Sequence, residues 1–124
     1  MNVAGRRVGP AEIESVLIAH PSVSEAAVIG VPDTLKGTAI ICFVVLKPDH
    51  SPNAIGLRME IIKVLGKTFR PKAIEFVSQL PKTRSAKIVR RLIRAKYLGE
   101  VLGDLSSIEN PSALEEIPQP SRAR

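Results

Sequence analysis

The chain contains no tryptophan, and its aromatic residues amount to 3% of 124 positions. Any core must therefore be aliphatic, built from Ile, Val, Leu and Ala. Rings that could stack on nucleic-acid bases are limited to Phe43, Phe69, Phe76 and Tyr97, and the strand phenylalanines read as buried. A single cysteine, Cys42, excludes an intramolecular disulfide and fits a reducing compartment. Its position inside AIICFVVL marks a buried thiol rather than a reactive one, with no basic neighbour in sequence. No run approaches the roughly 20 apolar residues of a membrane span. The opening MNVAGRRVGPAEIE lacks the apolar stretch of a secretory signal. A soluble, cytoplasmic chain is expected, or a mitochondrial-matrix one if a preceding segment carried a transit peptide.

Acidic residues are also missing from one segment. Between positions 82 and 96, seven of fifteen residues are Lys or Arg and none is Asp or Glu. The net charge is +6, so the rest of the chain sums to 6 − 7 = −1. The basic character belongs to one stretch, whereas a protein that coats nucleic acid more often spreads it over several elements.

What is present is a regular alternation of apolar patterns, with 44% hydrophobic residues, enough for one small domain with a modest core. Gly5 and Gly9 bracket two arginines in a turn or loop. Pro10 suits the first position of a helix, Glu12 and Glu14 suit its dipole, and Ile13, Val16 and Leu17 form its stripe until Pro21 stops it near His20. VSEAAVIGVPD is predicted as a strand closed by turn formers Pro32 and Asp33, followed by a second turn at Lys36 and Gly37. The nearly all-apolar run 39–46 is predicted as a central strand. Residues 53–68 form a helix with Ile55, Met59, Ile62 and Leu65 or Val64 inward, weakened by Gly56. AIEFVSQL is a third strand, and residues 88–98 make a last helix with stripe Ile88, Val89, Leu92 and Ile93, capped by Gly99. An α+β domain is expected over 1–103: a small sheet of about three core strands plus a hairpin, packed with helices. Residues 104–124 read as an extended or partly disordered tail.

The basic stretch LPKTRSAKIVRRLIRAKY is open to two readings on its physics. A Lys/Arg run is commonly a solvated helix face. Yet Lys82, Arg84 and Lys87 precede the helix, and the small Ser85 and Ala86 let a bulky partner approach Lys87. At the predicted helix start, N–H groups and dipole would favour an anion beside that ammonium.

The string LPKTRSAKIVRR resembles the PKTRSGK signature of the adenylate-forming acyl-CoA synthetases. NVAGRRVGPAEIESVLIAHPSVSEAAVIGVPDTLKGTAIICFVVLK resembles the upstream half of the same C-terminal domain: an SGHR-type glycine loop, an AEIE helix, an HP turn and a VPD–KG hairpin. The likeness runs over residues 2–111 with the motifs in family order. LGDLSSIENP further resembles the short-chain branch, the acetyl- and propionyl-CoA synthetases.

The resemblance implies a small domain that swings against a large N-terminal adenylation domain. In one pose Lys87 would reach acyl carboxylate and phosphate during adenylation by ATP. In the other, Gly5 would line the pantetheine path for thioester formation with CoA. A positioned ammonium suits charge developing on phosphate oxygens, and a residue without a side chain suits a narrow channel. By motif position, Ala4 would lie beside CoA and Arg7 would contact the nucleotide phosphate. The HP turn, with His20 and the carbonyls of Ile18 and Val23, matches a Mg²⁺ site of the short-chain branch. Lys87 also matches a lysine that is reversibly acetylated, which implies an acetyltransferase and deacylase as partners. Three residues depart from the pattern: Ala4 for serine, Arg6 for histidine, and Ala86 for the glycine before the lysine. At positive φ, Ala86 would carry about 1 kcal/mol or more of strain. By the resemblance the N-terminal domain would lie before Met1, so this chain alone is not expected to close an ATP site. Two other readings stay open: a medium-chain or aryl-CoA ligase, since the acyl pocket lies outside the chain, and a small basic nucleic-acid-binding module.

Overall fold

A computed structural model describes residues 1–120 and divides the chain into two compact units, the first Met1–Phe76 and the second from Val77 onward. The sequence alone had grouped residues 1–103 together.

The first unit opens with a minimal hairpin, β1 (Asn2–Val3) and β2 (Arg6–Arg7), whose register Val3↔Arg6 leaves only Ala4 and Gly5 in the loop. Helix α1 (Pro10–Ile18) follows, with Pro10 in its first turn and Glu12 Oε1 accepting from the Gly9 amide at 3.0 Å. Strands β3 (Val23–Asp33) and β4 (Gly37–Leu46) form a long antiparallel pair. Helix α2 (Ala54–Leu65) is the crossover to β5 (Ala73–Phe76), which pairs parallel with β4. The sheet order is β3-β4-β5. β4 is therefore central, and 39–44 is buried throughout, as its unbroken apolar run requires. Ile13 and Leu17 of α1, Leu57 and Ile61 of α2, and Ile40, Cys42 and Val44 of β4 belong to one aliphatic core. Glu14, buried on α1, accepts from the Val28 amide of edge strand β3 at 2.8 Å.

Helix α2 buries a face that only partly matches the one its sequence predicts: Leu65 packs on the core and Ile62 is half-buried as expected. Leu57 and Ile61 are buried, with Ala54 and Leu65 half-buried, whereas Ile55, Met59 and Val64 are exposed. The helix carries apolar residues on two faces, so periodicity does not decide between them. Gly56 sits against its cap: the Asn53 carboxamide accepts from the Gly56 amide at 2.9 Å, and a Cβ there would collide with that side chain.

In the second unit, the strand predicted over 73–80 has already ended at Phe76. Helix α3 (Arg90–Leu98) starts two residues later than predicted and ends on Gly99 in the left-handed conformation. Leu92, Ile93 and Ala95 are its buried residues. The region expected as a tail packs: Ile108, Ala113, Leu114 and Ile117 are buried, and Pro111–Glu116 forms a 3-10 turn. Lys96 donates to the carbonyls of Leu114 (2.8 Å) and Ile117 (3.2 Å), holding that turn to α3. The four residues are too sparse to show a period, yet Ile108 and Leu114 pack with Leu92 of α3. Residues 121–124 of the expected tail lie outside the described residues. No helix among the described residues is long and apolar enough to cross a membrane.

Candidate functional site

The glycine loop is the turn of the β1–β2 hairpin. Ala4 has φ 50° and Gly5 φ 80°, the paired left-handed conformation of a type I′ turn. Glycine is demanded at position 5 by that dihedral rather than by crowding, since nothing lies within 4 Å of where its Cβ would be. The Ala4 amide donates to Lys36 O at 2.8 Å, tying the turn to the β3–β4 loop. Arg6 and Arg7 are exposed, and the Arg6 guanidinium lies 5.5 Å from the centre of the Phe69 ring. Arg7 lines a small depression with Met1, Gly9 and Glu12. Ala4, Gly5 and Arg7 thus share one hairpin, with open space among the described residues around Gly5 at its tip.

The HP turn links α1 to β3. Pro21 stops the helix, His20 N donates to Leu17 O, and Val23 N closes the turn on His20 O at 3.1 Å. His20 Nδ1 takes the Ser22 amide at 3.2 Å and meets Ser22 Oγ at 2.8 Å. Accepting the amide makes Nδ1 the unprotonated nitrogen, so Nε2 carries the proton in the neutral ring. A hydrogen bond joins Val23 to His20, Ile18 ends α1 two residues earlier, and the donors the three offer are neutral. Among the described residues no group of three His, Cys, Asp or Glu side chains could hold a metal ion. A set without a carboxylate is a poor match for Mg²⁺, which favours charged oxygen ligands.

A cation-rich concavity of about 460 Å³ in the first unit joins Asp33 and Lys36 of the VPD–KG hairpin to Arg58, Arg70 and Lys72, which no sequence motif marks. Asp33 accepts from the amides of Lys36 (2.8 Å) and Leu35 (3.1 Å) and lies 3.7 Å from Lys72 Nζ. The Lys36 amide first, with Leu35 and the two lysine charges, holds its carboxyl below the ordinary 3.8. Cys42 is fully buried, and that burial pushes its thiol up to about 12 against the opposing pull of Arg58. The inert thiol expected from AIICFVVL is what the structure contains.

In the second unit, Lys87 precedes α3, as expected, and stands on a short hairpin of its own. Lys82 bridges Ile88 in antiparallel fashion, and Thr83 N donates to Lys87 O at 2.9 Å. Ala86 N donates to Thr83 O at 2.9 Å, closing a four-residue turn. Ala86 follows at φ 68°, the left-handed step that completes a three-residue hairpin loop and is normally given to glycine. Lys87 N points back at Thr83 Oγ1 (3.3 Å), which also meets Ser85 Oγ at 3.0 Å. The main chain around Lys87 is therefore occupied, and its exposed ammonium, not free helix N–H groups, is what the loop offers an anion. Thr83 was missed in the sequence, as was Asn110, which supports the hairpin from behind; the Asn-Pro pair at 110–111 is a turn signal that could have found the latter.

Most of the basic run is engaged close to home. Arg84 pairs with Glu109 at 3.5 Å, and Lys96 is committed to two carbonyls. Arg90 and Arg94 also have partners.

The chain is similar to known proteins over most of its length. The profile of the AMP-binding enzyme C-terminal domain matches residues 12–87. The acetyl-coenzyme A synthetase of Methanothrix soehngenii is 44% identical over 122 residues, covering 96% of this chain and 18% of that protein. The 3-hydroxypropionyl-coenzyme A synthetase of Metallosphaera sedula is 45% identical over 120 residues, with 94% and 18% covered. The crystal structure of a Brucella canis acyl-CoA synthetase superposes with a TM-score of 0.70 at 41% identity, over 74% of this chain and 18% of that one. The chain thus spans about a fifth of the length of the relatives it matches.

Proposed function

The chain belongs to the family of AMP-binding enzyme C-terminal domains, and on that premise we propose that it serves an AMP-forming short-chain acyl-CoA synthetase, acetyl-CoA-like in substrate. The observation that carries this reading is Lys87, exposed on a hairpin whose main chain is fixed on both sides of it. In this role Lys87 stabilises the negative charge that builds on carboxylate and phosphate oxygens as ATP and a small carboxylic acid form the acyl-adenylate. The Ala4–Gly5 turn, with Arg7 beside it, serves the second half-reaction, the transfer of the acyl group to CoA. Its open tip supports that role, because a thin pantetheine arm needs a turn without a side chain. An N-terminal adenylation domain supplies the remainder of both sites. ATP is used as its magnesium complex, with no step assigned to the His20 turn.

Acetylation of Lys87 would cancel the charge that adenylation uses, and its exposure leaves the amine open to an acetyltransferase and a deacylase. The single buried cysteine fits a reducing, cytoplasmic setting.

The test separates the two half-reactions in the full synthetase carrying this domain. Lys87→Ala is expected to slow acyl-adenylate formation by about 10²–10³-fold, the usual cost of removing a charge-stabilising donor. Thioester formation from preformed acyl-adenylate should stay within a few-fold. Protein acetylated at Lys87, verified by mass spectrometry, should behave like Lys87→Ala. Unchanged adenylation in Lys87→Ala would refute the assignment.

A further inference from the structure

The segment 108–110 lies beyond the matched family profile. It runs alongside the hairpin that carries Lys87. Ile108 bridges Thr83 in antiparallel fashion, on the arm whose neighbour Lys82 bridges Ile88. Glu109 N donates to Lys82 O at 2.8 Å, and Asn110 Oδ1 accepts from Lys82 N at the same distance. Both main-chain groups of Lys82 are thus held by two consecutive residues.

Asn110 does more than cap one amide. Its Nδ2 donates to Leu80 O at 2.9 Å and to Gln79 Oε1 at 3.1 Å. One half-buried carboxamide therefore fastens the chain before Pro81 and the arm after it. Ile108 is buried with Leu92 and Leu114, so the segment is itself anchored in the core of this unit. A two-stranded hairpin alone is marginal in water, and a third strand backed by apolar packing changes that. Aspartate could keep the acceptor toward Lys82 N, but it has no N–H for Leu80 O and Gln79 Oε1. Only an amide satisfies all three partners.

Resting on the adenylation role of Lys87, we infer that Asn110 is a positioning residue for that lysine, and that 108–110 is the third strand that aims it. The segment acts through the main chain at Lys82 and Thr83 and touches no reactant. Its effect belongs to the adenylation half-reaction, the step in which Lys87 is in place.

The test compares Asn110→Ala, Asn110→Asp, Lys87→Ala and Lys96→Met in the full synthetase. Lys96→Met removes two hydrogen bonds from the same unit without touching the hairpin, and so reports general loosening. Asn110→Ala is expected to lower kcat for adenylation by about 10–100-fold, since misplacing a catalytic group by about 1 Å costs roughly 10²-fold. KM for ATP should change less than threefold, and thioester formation from preformed acyl-adenylate less than twofold. Asn110→Asp should fall between wild type and Asn110→Ala. Amide exchange at Thr83 and Lys82 in the 124-residue chain should quicken in Asn110→Ala and not in Lys96→Met. Wild-type adenylation in Asn110→Ala, with Lys87→Ala inactive, would overturn the inference while leaving the lysine's role intact. So would a loss shared equally by both half-reactions and matched by Lys96→Met. If Lys87→Ala itself adenylates normally, the reading beneath fails first.

Discussion

Ala86 occupies a backbone position made for glycine, at φ 68° directly before Lys87. An L-residue in the left-handed region costs about 1–2 kcal/mol, while glycine regains some of that through its freer unfolded chain. Ala86→Gly is therefore expected to stabilise the protein by about 0.5–1 kcal/mol, read as a rise in denaturant midpoint at constant slope. An equal or lower midpoint would show that the loop relaxes around the methyl group. The sequence posed this question without answering it, because TRSAK does not disclose the sign of φ. The hydrogen-bonded turn from Thr83 to Ala86 and the return bond from Lys87 do. Cys42 was plainer, because an unbroken apolar run on a central strand leaves a thiol no route to solvent.

Elements were legible where one face alone could be buried. Helix α1 has its stripe, its opening proline and its stop at Pro21, and the structure follows all three. Helix α2 misled because Ile55 and Met59 compete with Leu57 and Ile61, and only the surrounding sheet decides. The segment after Gly103 was illegible for another reason: it is held by side-chain bonds across long separations. Ser78 is an instance. Its amide donates to Glu116 Oε1 at 2.9 Å and its hydroxyl donates to Oε2. The hydroxyl first, then the amide, keeps the Glu116 carboxyl below its ordinary 4.5. A carboxyl with a depressed folded value stabilises fully above the unfolded value, and loses that contribution as pH falls through the folded one. The Ser78 amide resonance should thus titrate with a midpoint below 4.5, and Glu116→Gln should abolish the transition. A midpoint at or above 4.5 would contradict the link.

At the scale of the whole molecule, charge was half legible. The run at 82–96 stands out in sequence, yet folding commits much of it to neighbours. Arg58, Arg70 and Lys72 stand out nowhere in the sequence, and they meet Lys36 of the β3–β4 turn around one concavity. A linear tally of charge cannot see residues gathered from a hairpin, a helix and the approach to a strand. The buried carboxylate of Glu14 was read as a helix-dipole residue and proves to be a tie between α1 and β3. A hydrogen bond to a charged group contributes about 1.5–3 kcal/mol, so Glu14→Ala should lower unfolding stability by about 2 kcal/mol. Glu14→Gln should cost less than half of that. Urea unfolding of both variants checks the order, and equal stability for all three proteins would dismiss the tie.

That same contact occupies the open edge of the sheet. β3 is an edge strand of apolar sequence, and an edge with free amides is a template for an incoming strand. With Glu14 seated on the Val28 amide, an intruding chain must first displace a buried carboxylate. The outer edge of the sheet is thus guarded in part by one side chain of the opening helix.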